Sequence, residues 1–287
     1  MNKPLIIGIG EIVWDCLPSG KKLGGAPINF AYYAGRLGAE SYPVSAIGKD
    51  ALGDETIEQC RSFGLDTRFI VRNSSPTSRV LVKLDAEGIP QYEILEGVAW
   101  DELEVDKSVL DVISQADAIC WGSLAGRTEK SFNAIRAMIG AAPKNCMKVF
   151  DINLRQNYYS KERIKSSLLD ATVLKLNEDE LPVLQMLFSL PDKPEVALSM
   201  IASRWNMEYV IYTCGAAYSE IFNRQGLISH LDTPKVEVAD TVGAGDSFTA
   251  AFITSILMGK TEVQSHEAAV SLAAKVCTHP GAMIKYL

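Results

Sequence analysis

Short apolar runs recur along the chain and alternate with stretches in which apolar positions return every three or four residues. The runs fall at 5–9, 42–47, 118–121, 147–151, 172–176 and 209–213. Runs this short and continuous predict strands buried on both faces, as in a parallel sheet. The periodic stretches between them predict helices at 27–37, 53–63, 129–139, 177–187 and 195–204. Pro27 opens the first of these and Gly38 follows it, while Gly64 ends the second; proline at a helix start and glycine past its end are the usual punctuation. Strands alternating with helices are the pattern of an α/β fold. One region breaks the alternation. Residues 78–84 and 91–95 read as two strands joined by a turn at 85–88 with no helix between them, and 12–22 also reads as extended. Spacing alone favours an ordinary surface hairpin there, the other reading being a β lid over a site.

Composition narrows the class. The chain has 287 residues with 28 Lys+Arg against 35 Asp+Glu, a formal charge of −7. That balance argues against a nucleic-acid partner, whose usual footprint is a basic face, but leaves room for a small anion held by local positive potential. At 47% hydrophobic and 22% charged the chain resembles ordinary globular proteins and is long enough to bury a core without staples. Cys16, Cys60, Cys120, Cys146, Cys214 and Cys277 are scattered with no CxxC pair, which points to reduced thiols and a cytoplasmic location. No apolar run reaches the 18 residues a membrane span needs, and the run at 5–10 is cut short by Glu11, a poor secretory leader. Several common motifs are missing. Gly259-Lys260-Thr261 supplies the tail of a GxxxxGK[ST] loop, but Thr254 stands where its first glycine belongs. His266-Glu267 is followed by Val270 in place of a second metal-binding histidine. Gly8 and Gly10 hint at a dinucleotide turn, with Val13 where the third glycine would be. A nicotinamide-dependent oxidoreductase therefore has two glycines in its favour and no more.

The segment with the most chemistry is 240–252, DTVGAGDSFTAAF. A glycine-rich turn here opens an apolar helical period. The first N–H groups of a helix lack intrahelical partners and sit at the positive end of the dipole. Small residues at Gly243, Ala244 and Gly245 let a phosphate approach those groups closely. Asp246 then falls in the first turn, where a carboxylate is favoured. A cradle of N–H groups stabilises a transferring phosphoryl group, and an adjacent carboxylate accepts the proton of an attacking alcohol. The bland alternative is a helix capped by Asp240 or Thr241, with glycines for a tight turn.

This segment resembles the C-terminal signature of the ribokinase-like sugar kinases, the phosphofructokinase-B type that includes the fructokinases. Residues 24–38, GGAPINFAYYAGRLG, are similar to that family's other signature. The resemblance spans nearly the whole chain. It implies an α/β fold with a doubly wound, mostly parallel sheet, helices on both faces and a small β-sheet lid. The hairpin then belongs to the lid, reversing the reading from spacing. The expected division is a large domain of 1–11, 24–67 and 101–287 and a discontinuous lid of 12–23 and 68–100.

The resemblance also implies roles. Asp246 is the expected catalytic base, over an anion hole of Gly243, Ala244 and Gly245. Asp15, Gly24, Gly25, Asn29 and Arg155 are expected to bind the sugar, Arg155 reaching the sugar or the reacting phosphate with its guanidinium fork. Locally, Asn29 reads equally well as a polar residue of a first helical turn, and Arg155 as a surface salt bridge. Asn177, Thr213 and Gly215 are expected at the nucleotide, and 273–282 in the adenine pocket. Asn177 and Glu180 also read as a capping box, which is compatible with Glu180 acting on a metal through water. Asp240 is the expected ligand of a monovalent cation such as K+. The implied activity is transfer of the γ-phosphate of ATP, with Mg2+, to a primary hydroxyl of a small sugar. The GGAPxN form points to fructose, giving fructose 6-phosphate, with another sugar, sugar acid or nucleoside as the alternative acceptor. A non-catalytic sugar or nucleotide sensor is the alternative of another class, argued against by the intact turn and Asp246. No nucleic-acid or membrane partner is expected, and an open lid edge suggests a homodimer paired through the lid.

Overall fold

The computed structural model describes residues 3–17, 20–84 and 90–285. The strands and helices, in chain order, are β1 (Leu5–Ile9), β2 (Val13–Leu17), β3 (Gly20–Gly24), α1 (Ala26–Arg36), β4 (Glu40–Gly48), α2 (Ala51–Ser62), β5 (Ile70–Asn73), β6 (Arg79–Leu84), β7 (Pro90–Ile94), α3 (Lys107–Ile113), β8 (Ala118–Trp121), α4 (Glu129–Ala141), β9 (Met147–Asp151), α5 (Lys161–Asp170), β10 (Val173–Asn177), α6 (Glu180–Phe188), α7 (Pro194–Arg204), β11 (Tyr209–Cys214), β12 (Tyr218–Asn223), β13 (Gly226–Asp232), α8 (Ala244–Leu257) and α9 (Glu262–Cys277). Among the described residues these strands form a nine-stranded sheet, β13-β12-β11-β10-β9-β8-β1-β4-β5, and a separate four-stranded sheet, β3-β2-β6-β7. The large sheet is parallel from β11 to β5; β12 is reversed and pairs antiparallel with both β11 and β13.

Alternation along the central strands explains the layers. Ile7, Ile9, Ile119, Trp121 and Leu174 face one way and pack with α3 to α7. Ile6, Ala118, Cys120, Val149 and Val173 face the other way and pack with α1, α2, α8 and α9. Both faces are covered, so these strands show as unbroken apolar runs. The result is the α/β fold that the pattern predicts, with the doubly wound arrangement that the resemblance implies. α8 is buried from Ser247 to Ser255, since it lies between the sheet, α1 and α9.

The small sheet is where the broken rhythm falls. β6 pairs antiparallel with β7, β2 antiparallel with β3, and β2 parallel with β6. The expected turn at 85–88 lies outside the described residues. The boundary of the small unit differs from the expected 68–100. Ile70–Asn73 pairs with Ser45–Gly48 of β4 and forms the last strand of the large sheet, because a short parallel strand after α2 completes the free edge of β4. β3 and β7 are the edges of the small sheet, the open edges on which the expectation of a lid-paired dimer rests. The helix expected at 177–187 starts at Glu180, because Asn177 still belongs to β10 and residues 178 and 179 form a turn. No helix among the described residues is long and apolar enough to cross a membrane.

Candidate active site

Strand order reverses at β1, with β4 on one side and β8 on the other. In open α/β sheets the crevice at the carboxyl ends of the strands near such a switch point is where ligands bind. A single cavity of about 1390 Å3 opens there, larger than the roughly 300–1,000 Å3 typical of one small ligand. Glu11 beyond β1, Asn153 and Arg155 beyond β9, Lys175 and Asn177 on β10, and Thr213 and Gly215 at β11 all line it. The small sheet contributes Val13, Asp15, Lys22 and Val80 as its roof.

Two helix starts close the cavity from the other side. Gly25 precedes α1 at φ 123, and a side chain there would collide with the Glu11 carbonyl. Gly243 precedes α8 at φ 80, and a Cβ on it would lie 2.5 Å from the Ala282 carbonyl oxygen. Each position therefore needs glycine. No side chain caps α8, so the alternative in which Asp240 or Thr241 caps it does not hold. The Asp240 carboxylate accepts instead from the N–H groups of Val242 (3.1 Å) and Gly281 (2.9 Å). The turn of Gly243, Ala244 and Gly245 lines the cavity with nothing from its own side chains in the way.

Asp246 accepts a hydrogen bond from Asn29 Nδ2 at 2.7 Å, which ties α8 to α1 across 217 residues of sequence. Burial raises the Asp246 carboxyl above its ordinary value, while the Asn29 hydrogen bond, Lys175 and Arg155 pull it back. Asp15, half-buried on β2 opposite Lys22 of β3, is also raised by burial and held down by Arg155 and Lys22. Arg155 is exposed and makes no ion pair among the described residues; its Nη1 donates to the Leu154 carbonyl. Thus the surface-salt-bridge alternative is not what is observed.

Some expected residues stand apart from the cavity. Gly24 ends β3 opposite Val13 and does not line the cavity; its Cβ position is 3.5 Å from Asp15 Oδ2. Glu180 is buried beneath it, with one carboxylate oxygen accepting from Leu154 N (3.0 Å) and the other from Asn177 N (2.9 Å). Asn177 Oδ1 accepts in return from Glu180 N at 2.9 Å; the two residues bond reciprocally, but across a turn, since the residue that precedes the helix is Asp179 and no side chain caps it, so the expected capping box is not formed. No cluster of three metal-binding side chains occurs among the described residues. A divalent ion held at this cavity would keep most of its water, as Mg2+ usually does. At Asp240, where a monovalent cation was expected, the positive charge in contact is Lys22 Nζ at 3.0 Å. Burial alone would raise the Asp240 carboxyl, but the Gly281 and Val242 N–H groups and Lys22 outweigh it and bring it below the usual range.

Two residues escape reasoning from sequence. Lys175 is buried and pairs with Asp151 at 3.3 Å, and its Nζ lies 3.2 Å from where a Gly245 Cβ would be. Burial favours the neutral amine, but Asp151, Glu180 and Asp246 outweigh it and hold Lys175 as an ammonium, placing positive charge against the Gly243–Gly245 turn. A lone lysine inside an apolar strand run was the available signal. Glu11 is the other, a carboxyl straight after the first strand. At the far end of the cavity Val236, Val238, Val270, Ala273, Ala274 and Cys277 form an apolar slot, which includes part of the 273–282 segment expected around adenine.

The sequence profile of the pfkB family carbohydrate kinases matches residues 17–286. The chain belongs to this family. Among this kinase's relatives, Fructokinase-1 of Zea mays is 26% identical over 290 residues, covering 93% of this chain and 87% of the maize protein. Probable fructokinase-4 of Arabidopsis thaliana is 29% identical over 276 residues, covering 89% and 83%. A sugar kinase of Pyrococcus horikoshii solved with ATP superposes with a TM-score of 0.81 at 24% identity, over 96% of this chain and 93% of that one. The Vibrio cholerae fructokinase, solved with fructose, ADP and calcium, superposes at 0.81 and 22% identity, over 98% and 95%. At those identities the two structures establish a shared fold.

Proposed function

We propose that this kinase transfers the γ-phosphate of ATP to a primary hydroxyl of a small sugar, with fructose the first acceptor to try. The observation that carries the reading is Asp246, held by Asn29 at 2.7 Å in the first turn of an uncapped helix, within a cavity large enough for a nucleotide and a sugar together. The apolar slot by α9 suits a nucleotide base, and the end beneath the small sheet, with Asp15, Asn29 and Arg155, suits a polyol. Asp246 accepts the hydroxyl proton as the oxygen attacks. The N–H groups of the Gly243–Gly245 turn, Lys175 and Arg155 carry the charge that spreads over the phosphoryl oxygens. Mg2+ accompanies the nucleotide and neutralises part of its phosphate charge. The small sheet covers the acceptor and keeps water from the phosphate. The fructokinase names among relatives and the GGAPxN sequence support fructose.

An ADP-release assay coupled to pyruvate kinase and lactate dehydrogenase tests this with fructose, ribose, adenosine, 2-keto-3-deoxygluconate and fructose phosphates as acceptors. Fructose should give the largest kcat/KM. Turnover of none of them would refute the kinase reading, and preference for another acceptor would refute fructose. Asp246→Asn keeps an oxygen for the Asn29 bond and should preserve folding while lowering kcat by about 10²–10⁴, the range for loss of a general base. Unchanged kcat in that variant would show that the base lies elsewhere.

A further inference from the structure

Glu11 is 2% exposed, yet it lines the acceptor end of the cavity with Asp15, Asn29 and Arg155. Its Oε2 has no hydrogen-bond partner. Buried carboxyls that only support a fold are normally satisfied, and this chain has two such cases for comparison. Glu180 gives both oxygens to backbone N–H groups. Asp101 is held by two nitrogens of Arg127, at 2.7 and 2.8 Å, and by Val98 N. Glu11 is neither ion-paired nor fully bonded, and it lies at the strand-order switch point, against the turn that leads into Asn29.

The neighbouring groups show what an occupant would lack. Asn29 Nδ2 is already given to Asp246, which leaves Asn29 Oδ1, itself unpartnered, as an acceptor. Asp15 and Asp246 are also acceptors when ionised. A sugar hydroxyl is donor and acceptor at once; Arg155 is the donor already at this end, and the phosphoryl group also calls on it, so a second donor on this wall lets a hydroxyl use both capacities. Resting on the kinase reading above, we propose that Glu11 is an acceptor-binding residue, its free carboxyl oxygen hydrogen-bonding a hydroxyl of the same neutral sugar that Asp246 deprotonates. The titratable groups facing it are Asp246 on α8, Arg155 beyond β9 and Cys120 on β8. Burial, with Asp246 adding to it, raises the Glu11 carboxyl to about 7, against the pull of its own and the Ala26 backbone N–H groups and of Arg155. Below that pH the carboxyl is itself a donor to the hydroxyl; above it that donor is lost.

Calorimetric titration of the full chain with fructose, then with the four other acceptors, and separately with ADP tests the assignment. Glu11→Ala should weaken the acceptor about tenfold, the worth of a hydrogen bond at the upper neutral range, with ADP affinity unchanged. Wild-type affinity for the acceptor should fall about fivefold from pH 6 to pH 8.5, and Glu11→Gln, a donor at every pH, should abolish that dependence. Wild-type acceptor affinity in Glu11→Ala, equal loss of acceptor and ADP, or a pH dependence that persists in Glu11→Gln would overturn the assignment. Acceptor binding with this pattern but no turnover would refute the kinase reading and uphold Glu11, whereas a wild-type chain that binds none of the five overturns both.

Discussion

Lys175→Met removes the buried charge beside the Gly243–Gly245 turn while keeping most of the side chain's volume. The Lys175 and Asp151 side chains are 9% and 6% exposed, and 3.3 Å separates Nζ from Oδ1. Removing one member of a buried pair leaves the other uncompensated and costs about 3–5 kcal/mol. At roughly 2–4 °C per kcal/mol for a large domain, Tm should fall by about 6–20 °C. The cost depends on pH with a definite sign. Burial already raises the Asp151 carboxyl, and Lys175 is the strongest influence holding it down, so in the variant it rises further. The folded state then keeps a proton that the unfolded carboxyl loses above about pH 4. Its stability is therefore greatest in acid and is lost as pH rises toward the raised folded value. Thermal melts from pH 5 to pH 8 should show the gap between variant and wild type widening with pH. Adding Asp151→Asn should recover most of the Tm, since the orphaned carboxyl is gone. It should not recover kcat, which we expect to fall by about 10²–10³, the loss for one preorganised electrostatic partner of a transition state. A Tm within 1 °C of wild type at every pH, or full recovery of kcat in the double variant, would refute this account.

Two further predictions concern the backbone and the core. Gly243→Ala combines a positive φ with a clash against Ala282, whereas Gly259→Ala has a similar φ, +82, and open space around its Cβ. Urea denaturation should find the second destabilised by about 1–2 kcal/mol and the first by more, with kcat reduced only in the first; equal losses would refute the close approach of the α8 turn to Ala282. His266 is fully buried between the hydroxyls of Ser219 and Ser229, each 2.8 Å away, and burial, helped by His230, depresses it to about 4. It contributes stability above its ordinary value of 6.5 that is lost as pH falls toward 4, up to about 3 kcal/mol at 1.36 kcal/mol per unit. The urea midpoint should decline across that window, and His266→Asn should flatten the decline; an unchanged slope would refute the assignment.

Elements buried on both faces left a local record. β1, β8 and β9 occur where their apolar runs predict, because a central parallel strand must be apolar at every position. β12 and β13 left none. Their alternation of Tyr, Ser, Glu, Ile and Phe is that of an antiparallel edge pair with one side wet, and a helical period would look little different over so few residues. β5 falls in the large sheet and not in the expected 68–100 lid for a related reason, since four residues do not say which edge they complete. Hydrogen bonds between near neighbours, such as those of Asn177 with Glu180, were likewise legible from spacing.

By itself, then, the sequence determined the α/β class, the family through its two glycine-rich signatures, and the candidacy of Asp246, because each depends on residues adjacent in the chain. Tertiary structure alone decided which charges meet. Asn29 reaches Asp246 over 217 residues and Lys22 reaches Asp240 over 218. Lys175 finds Asp151 on the next strand, and one oxygen of the Glu11 carboxyl is left without a partner in the cavity wall. Electrostatic energy depends on distance and on exclusion from water, and neither is written in the order of residues until the sheet brings the carboxyl ends of its strands together.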